Sequence, residues 1–142
     1  MDSSAKIQPT KGSVLVVDGE PVNLKLMELV LTQQNFTVSI AENEIEAISL
    51  VTKNKYDVIV LDIVMPETED YQVLKAVKKN EASKAMPVVV CSELKDKQTV
   101  TNCIKLGVAE YIVKPFDPEK LLLYVERVIS ASKSVPGNLS SP

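Results

Sequence analysis

The 142 residues contain no histidine, so any chemistry must run on carboxylates, hydroxyls and amines. Ser-His-Asp and Cys-His catalysis and His-ligated zinc are excluded, and the chain cannot itself be a phosphohistidine donor. Four polar residues stand out because each closes an apolar run. Asp18 ends SVLVVD, Asp62 ends DVIVLD, Ser92 ends PVVVCS and Lys114 ends EYIVK. A carboxylate can attack phosphorus and form an acyl phosphate. A hard divalent ion such as Mg²⁺ takes oxygen ligands and often needs only one or two carboxylates. A lysine supplies a fixed positive charge for phosphoryl oxygens, and a small hydroxyl can bind the new group and relay its arrival. Singly, each residue has a plainer explanation. A strand-end Asp is commonly a turn or capping residue, Ser92 could be a cap, and Lys114 before Pro115 could be a surface charge.

The elements that would position them alternate regularly. Strand-length apolar runs at Ser13–Asp18, Phe36–Ala41, Asp57–Asp62, Pro87–Ser92 and Glu110–Lys114 are separated by stretches of helical period. Pro21 suits a first helical turn, and Val22, Leu26, Leu29 and Val30 follow at helical spacing. Ile45, Ile48 and Val51 mark a second helix. Val73, Leu74 and Val77 mark a third, beginning around Asp70. Lys97–Leu106 reads as a fourth, ending at Gly107. Asp117-Pro118 opens a fifth, with Leu121, Val125, Val128 and Ile129 inward. The alternation implies an α/β protein with a parallel sheet covered on both faces. In such sheets ligands bind beyond the carboxyl ends of the strands, where the four polar residues would converge.

Composition narrows the options. With 16 Lys and Arg against 19 Asp and Glu, the net charge is −3, which gives no basic footprint for nucleic acid. No apolar run reaches the roughly 20 residues that span a bilayer, and the start of the chain lacks the apolar centre of a signal peptide. A cytoplasmic location is expected. Cys91 and Cys103 sit in apolar-patterned segments and read as small buried hydrophobes ahead of a metal or redox pair. Residues 1–12 read as a flexible N-terminal segment, 13–131 as the domain, and 132–142 as a linker or disordered tail.

Four stretches together carry a family resemblance: VLVVDGEPVNLKLMELVL (Val14–Leu31), DVIVLDIVMP (Asp57–Pro66), MPVVVCS (Met86–Ser92) and GVAEYIVKPF (Gly107–Phe116). In this order and spacing they resemble the receiver domain of two-component response regulators, from about Ser13 to Ile129. The resemblance implies a three-layer, doubly wound, flavodoxin-like fold with strand order 2-1-3-4-5. It also implies a phosphorelay receiver that takes a phosphoryl group on Asp62 from a histidine kinase or phosphotransfer protein. Lys114 matches the phosphate-binding lysine, Ser92 the switch hydroxyl and Tyr111 the switch aromatic. Asp18, Asp62 and the backbone carbonyl of Val64 match the Mg²⁺ ligands. A cis peptide after Lys114 is a further implication. Such a domain is no enzyme beyond self-phosphorylation from small phosphodonors and autodephosphorylation. The resemblance also implies that the fourth helix, fifth strand and fifth helix form a face for partners or a homodimer, and that an effector domain could follow the tail.

Two positions depart from the family pattern. The second acidic residue of the metal pair is Gly19, which offers no side-chain oxygen and should weaken Mg²⁺ affinity. Glu20, its neighbour, is an alternative oxygen donor. Asp70 stands where the family has glycine, in an acidic loop Glu67–Asp70. Three readings follow: a phosphorylated domain with reduced metal dependence, a degenerate receiver working as a phosphorylation-independent docking module, or a normal receiver with an incidental change at Gly19. Other classes fit less well. A haloacid-dehalogenase-type phosphatase needs an acid two residues after its nucleophile, and Val64 holds that place. A flavin carrier needs a phosphate-cradling loop after the first strand, where Asp18-Gly19-Glu20 is acidic.

Overall fold

A computed structural model of the chain describes the backbone of residues 10–64 and 71–140, with side chains described as far as Ser132. Its elements alternate strictly: β1 (Ser13–Val17), α1 (Pro21–Gln33), β2 (Thr37–Ala41), α2 (Glu44–Lys53), β3 (Val58–Leu61), α3 (Gln72–Lys79), β4 (Val88–Ser92), α4 (Lys97–Lys105), β5 (Glu110–Val113) and α5 (Pro118–Ser140). The strands pair in parallel in the order β2-β1-β3-β4-β5, as the resemblance implies.

Strand residues alternate between two cores, which explains why β1, β3 and β4 are apolar throughout. Leu15, Val17, Ile59, Leu61, Val88 and Val90 pack with Ala47 and Val51 of α2, Val73, Leu74 and Val77 of α3, and Cys103 of α4. Val14, Val16, Val58, Val60, Val89 and Cys91 pack with Leu24, Met27 and Leu31 of α1 and Leu121, Val125, Val128 and Ile129 of α5. Both cysteines are free and buried, one in each core, as their apolar surroundings suggest.

The helix starts use local capping. Asn43 accepts from Glu46 N–H (2.9 Å) while the Glu46 carboxylate accepts from Glu42 N–H (2.8 Å), a near-reciprocal arrangement that satisfies two N–H groups at the start of α2. Asp96 caps α4 by accepting from Thr99 N–H at 3.0 Å.

Two expectations about helix faces change. Val22, Leu26 and Leu29 of α1 are exposed, and Leu24, Met27 and Leu31 form its inner face. Ile45 is 82% exposed, and Ala47 takes the inner place in α2. Helix α5 runs to Ser140, past the Ser132 boundary at which composition alone suggests a tail.

The strand ladders continue one residue past the ends of the strands. Asp18 N–H donates to Ala41 O (3.1 Å), Asp62 N–H to Val17 O (2.9 Å) and Lys114 N–H to Ser92 O (2.8 Å). Sheet register therefore fixes the backbone of all three residues before any side chain is considered.

Candidate functional site

The same turn chemistry recurs at three strand ends. Asp18 Oδ1 accepts from Glu20 N–H (2.8 Å), Asp62 Oδ1 from Val64 N–H (2.9 Å), and Ser92 Oγ from Leu94 N–H (3.2 Å). A side-chain oxygen bonding the backbone two residues on is a turn-forming device. The plain reading of Asp18 as a turn residue thus holds, and the turn leaves the other carboxylate oxygen available.

That second oxygen meets Lys114. Its ammonium lies 2.5 Å from Asp18 Oδ2 and 2.8 Å from Asp62 Oδ2. The three side chains are only 6%, 0% and 9% exposed for Lys114, Asp18 and Asp62, so water screens the contact weakly. Burial pushes the Asp62 carboxyl above its ordinary value, against the hydrogen bonds from Lys114 and Val64 N–H. Burial alone would lower Lys114, but its bonds to Asp18 and Asp62 prevail and hold the ammonium above its ordinary value. The peptide Lys114–Pro115 is cis.

Above this triad opens a cleft of about 710 Å³. Asp62 and Lys114 lie on its lining with Glu20, Asn23, Val64, Glu93 and Leu94. Glu20 precedes α1 without using its carboxylate as a cap, so that group is an oxygen donor at the rim. Asn23, Glu93 and Leu94 are the lining residues that sequence reasoning missed. Their signal was their place in the segments just after β1 and β4.

Ser92 is fully buried at the end of β4. Tyr111 donates its hydroxyl to the Leu94 carbonyl, while Ser92 accepts from the Leu94 amide. Both residues matched to the switch therefore grip the backbone of one cleft-lining residue. Burial pushes the Tyr111 phenol up to about 12, so it stays a neutral donor. Within α4, Asn102 donates to the Tyr71 hydroxyl at 3.1 Å. Tyr71 precedes α3 in the left-handed region, at φ 56°. The acidic loop Glu67–Asp70 lies outside the described residues.

The oxygen donors suit a hard divalent cation. Asp18 and Asp62 are adjacent carboxylates, but among the described residues no three Asp, Glu, Cys or His side chains converge on a common point. This set fits an ion held by two carboxylates and mostly water rather than a closed protein cage. Among the described residues, no helix is long and apolar enough to cross a membrane.

The family described as "Response regulator receiver domain" matches residues 14–126. The transcriptional regulatory protein ResD of Bacillus subtilis is 30% identical over 136 residues, covering 95% of this chain and 55% of its own. The chain spans about half the length of the curated relatives it matches. The receiver domain of the Francisella response regulator 1452 superposes with TM-score 0.79 at 26% identity, covering 86% of this chain and 99% of that one. The receiver domain of sensor histidine kinase PA1611 from Pseudomonas aeruginosa, solved with a magnesium ion coordinated in its active-site cleft, shares the fold. Its TM-score is 0.76 at 24% identity, with 84% and 98% covered. With the matched region and the strand order in agreement, the chain belongs to the response regulator receiver domain family of two-component signal transduction.

Proposed function

We propose that Asp62 is the phosphoacceptor, charged by a phosphohistidine on a histidine kinase or phosphotransfer protein. The supporting observation is the Lys114 ammonium set against the carboxylates of Asp62 and Asp18 at the floor of an open cleft. A carboxylate oxygen of Asp62 forms the new O–P bond as the P–N bond breaks, and the donor imidazole leaves with the electron pair and takes up a proton. Lys114 holds positive charge against the phosphoryl oxygens. Ser92 follows the new group, and Leu94 and Tyr111 carry its movement toward the α4–β5–α5 face, where a partner, a second copy or an effector domain would respond. Asp18, Asp62 and the Val64 carbonyl would hold Mg²⁺, with Glu20 as a further oxygen donor. When bound, the ion screens the repulsion between carboxylate and phosphoryl group. Gly19 removes one carboxylate and weakens that site.

A second reading is a docking module that works without phosphorylation. It is favoured by the lack of a third converging acid among the described residues.

Intact mass separates the two. After incubation with phosphoramidate and Mg²⁺, the wild type gains one phosphoryl group and Asp62→Asn gains none. Gly19→Asp reaches the same yield at lower Mg²⁺. Gly19 is not among the glycines of positive φ, so its backbone accepts aspartate without strain. No adduct on the wild type at any Mg²⁺ concentration would leave the docking module standing.

A further inference from the structure

The arriving phosphoryl group carries anionic oxygens, yet most of the polar side chains lining the cleft are themselves anionic. Glu20, Asp62 and Glu93 repel it, and Val64 and Leu94 offer no side-chain hydrogen bond. Among the described lining side chains, the N–H donors are Lys114 and Asn23. Lys114 is already shared between two carboxylates. Asn23 stands in the first turn of α1, half-buried. It also lines a smaller side cleft of about 180 Å³ together with Lys114, Pro115 and Phe116. Its amide has no hydrogen-bond partner among the described residues.

From this placement we infer that the Asn23 side-chain amide is a phosphoryl-binding group, donating to an oxygen of the phosphoryl group as it approaches Asp62. The inference rests on the phosphoacceptor reading. It adds that entry to the cleft depends on a neutral donor from α1 as well as on the lysine from the end of β5. A neutral donor suits the place. It offers two N–H groups without competing with Lys114 for the buried carboxylates, and it draws no net charge into the acidic rim. At this position a second cation would pair with Glu20 or Glu93, and an acid would deepen the repulsion.

The test uses the whole chain with phosphoramidate as the phosphodonor and saturating Mg²⁺, following the initial rate of adduct formation against donor concentration. Asn23→Leu keeps the side chain near its size and removes the N–H groups. The half-saturating phosphoramidate concentration should rise about tenfold or more, as for one lost hydrogen bond to a charged oxygen, while the thermal midpoint stays put. Asn23→Gln, which keeps the amide, should remain within about twofold. A role limited to packing α1 would instead lower the thermal midpoint in Asn23→Leu and leave the half-saturating concentration alone, which overturns the inference. So does an Asn23→Leu variant that matches the wild type throughout. A wild type that forms no adduct at all fails the phosphoacceptor reading first and takes this inference with it. A wild type that forms the adduct, with Asn23→Leu unaffected, fails this inference alone.

Discussion

The ends of β1 and β3 and the helix α4 are fastened to the sheet by different forces. At the strand ends, backbone ladder bonds, one turn bond per carboxylate and a shared buried ammonium fix Asp18 and Asp62. Removing the shared ammonium leaves two carboxylates facing each other in a poorly screened place. Helix α4 buries only Thr99 and Cys103, against three residues for α3 and three for α1. Beyond these and Leu106 at its C-terminal end, which packs on the same core, α4 is held by polar contacts: the Asp96 cap at its start and Asn102 on Tyr71, with Tyr111 gripping the loop before it. Such bonds exchange with water at small net cost. The contrast suits a signalling domain. Under the proposed function, the strand ends would be the centre that must not drift, and α4 would be the element that changes place for a modest free energy.

Lys114→Met tests the rigid side and should have the largest effect. It leaves two buried carboxylates facing each other without a cation. Denaturant unfolding at neutral pH, in the absence of divalent ions, should show a loss of about 3 kcal/mol or more. A loss under about 1 kcal/mol, the scale of an exposed pair, would put the strand ends and α4 on the same footing.

A smaller effect of opposite sign is expected for Asp62→Asn. Because burial raises the Asp62 carboxyl in the folded state, the folded form holds its proton more tightly than the unfolded one. Stability from this group is therefore whole below its ordinary value of 3.8 and declines as pH rises through the raised folded value. At neutral pH Asp62→Asn should be the more stable protein, and the gap should close as pH falls toward 3.8. A gap that persists unchanged in acid would mean the carboxylate's charge is not what strains the site.

How legible each region is follows from the same physics. Asp18, Asp62 and Lys114 could be read from sequence because an apolar strand that stops at a polar residue marks its own end, and parallel sheets gather such ends on one rim. The inner face of α1 could not. PVNLKLMELVL carries two apolar sets at helical spacing, Val22-Leu26-Leu29 and Leu24-Met27-Leu31. Only contact with α5 and the sheet selects the second. In α2, Ala47 fills the inner place while the larger Ile45, a better sequence candidate, points outward. Neither Asn23 nor Leu94 belongs to a periodic pattern, so only their places just after β1 and β4 mark them in the sequence. Least visible of all is the pair Tyr71 and Asn102. They are 31 residues apart, and nothing local in either segment points to the other.

That pair gives the finest test of the soft side. Tyr71 contributes its ring to the core beneath α3 and α4, and its hydroxyl accepts from Asn102. Tyr71→Phe keeps the ring and deletes the hydroxyl, so the apolar packing is retained while one anchor of α4 disappears. The Asn102 amide also bonds to Gln98 through its oxygen and is only half-buried, so water can replace the lost partner. Global stability should therefore fall by about 1 kcal/mol or less. The sharper readout is amide hydrogen exchange, which should quicken in Lys97–Lys105 while staying unchanged in β1 and β3. Because α4 has little buried surface to fall back on, losing one polar anchor should show there first. Exchange that quickens equally across the sheet would mean α4 opens only with the whole domain, and the separation between a fixed centre and a yielding helix would not exist.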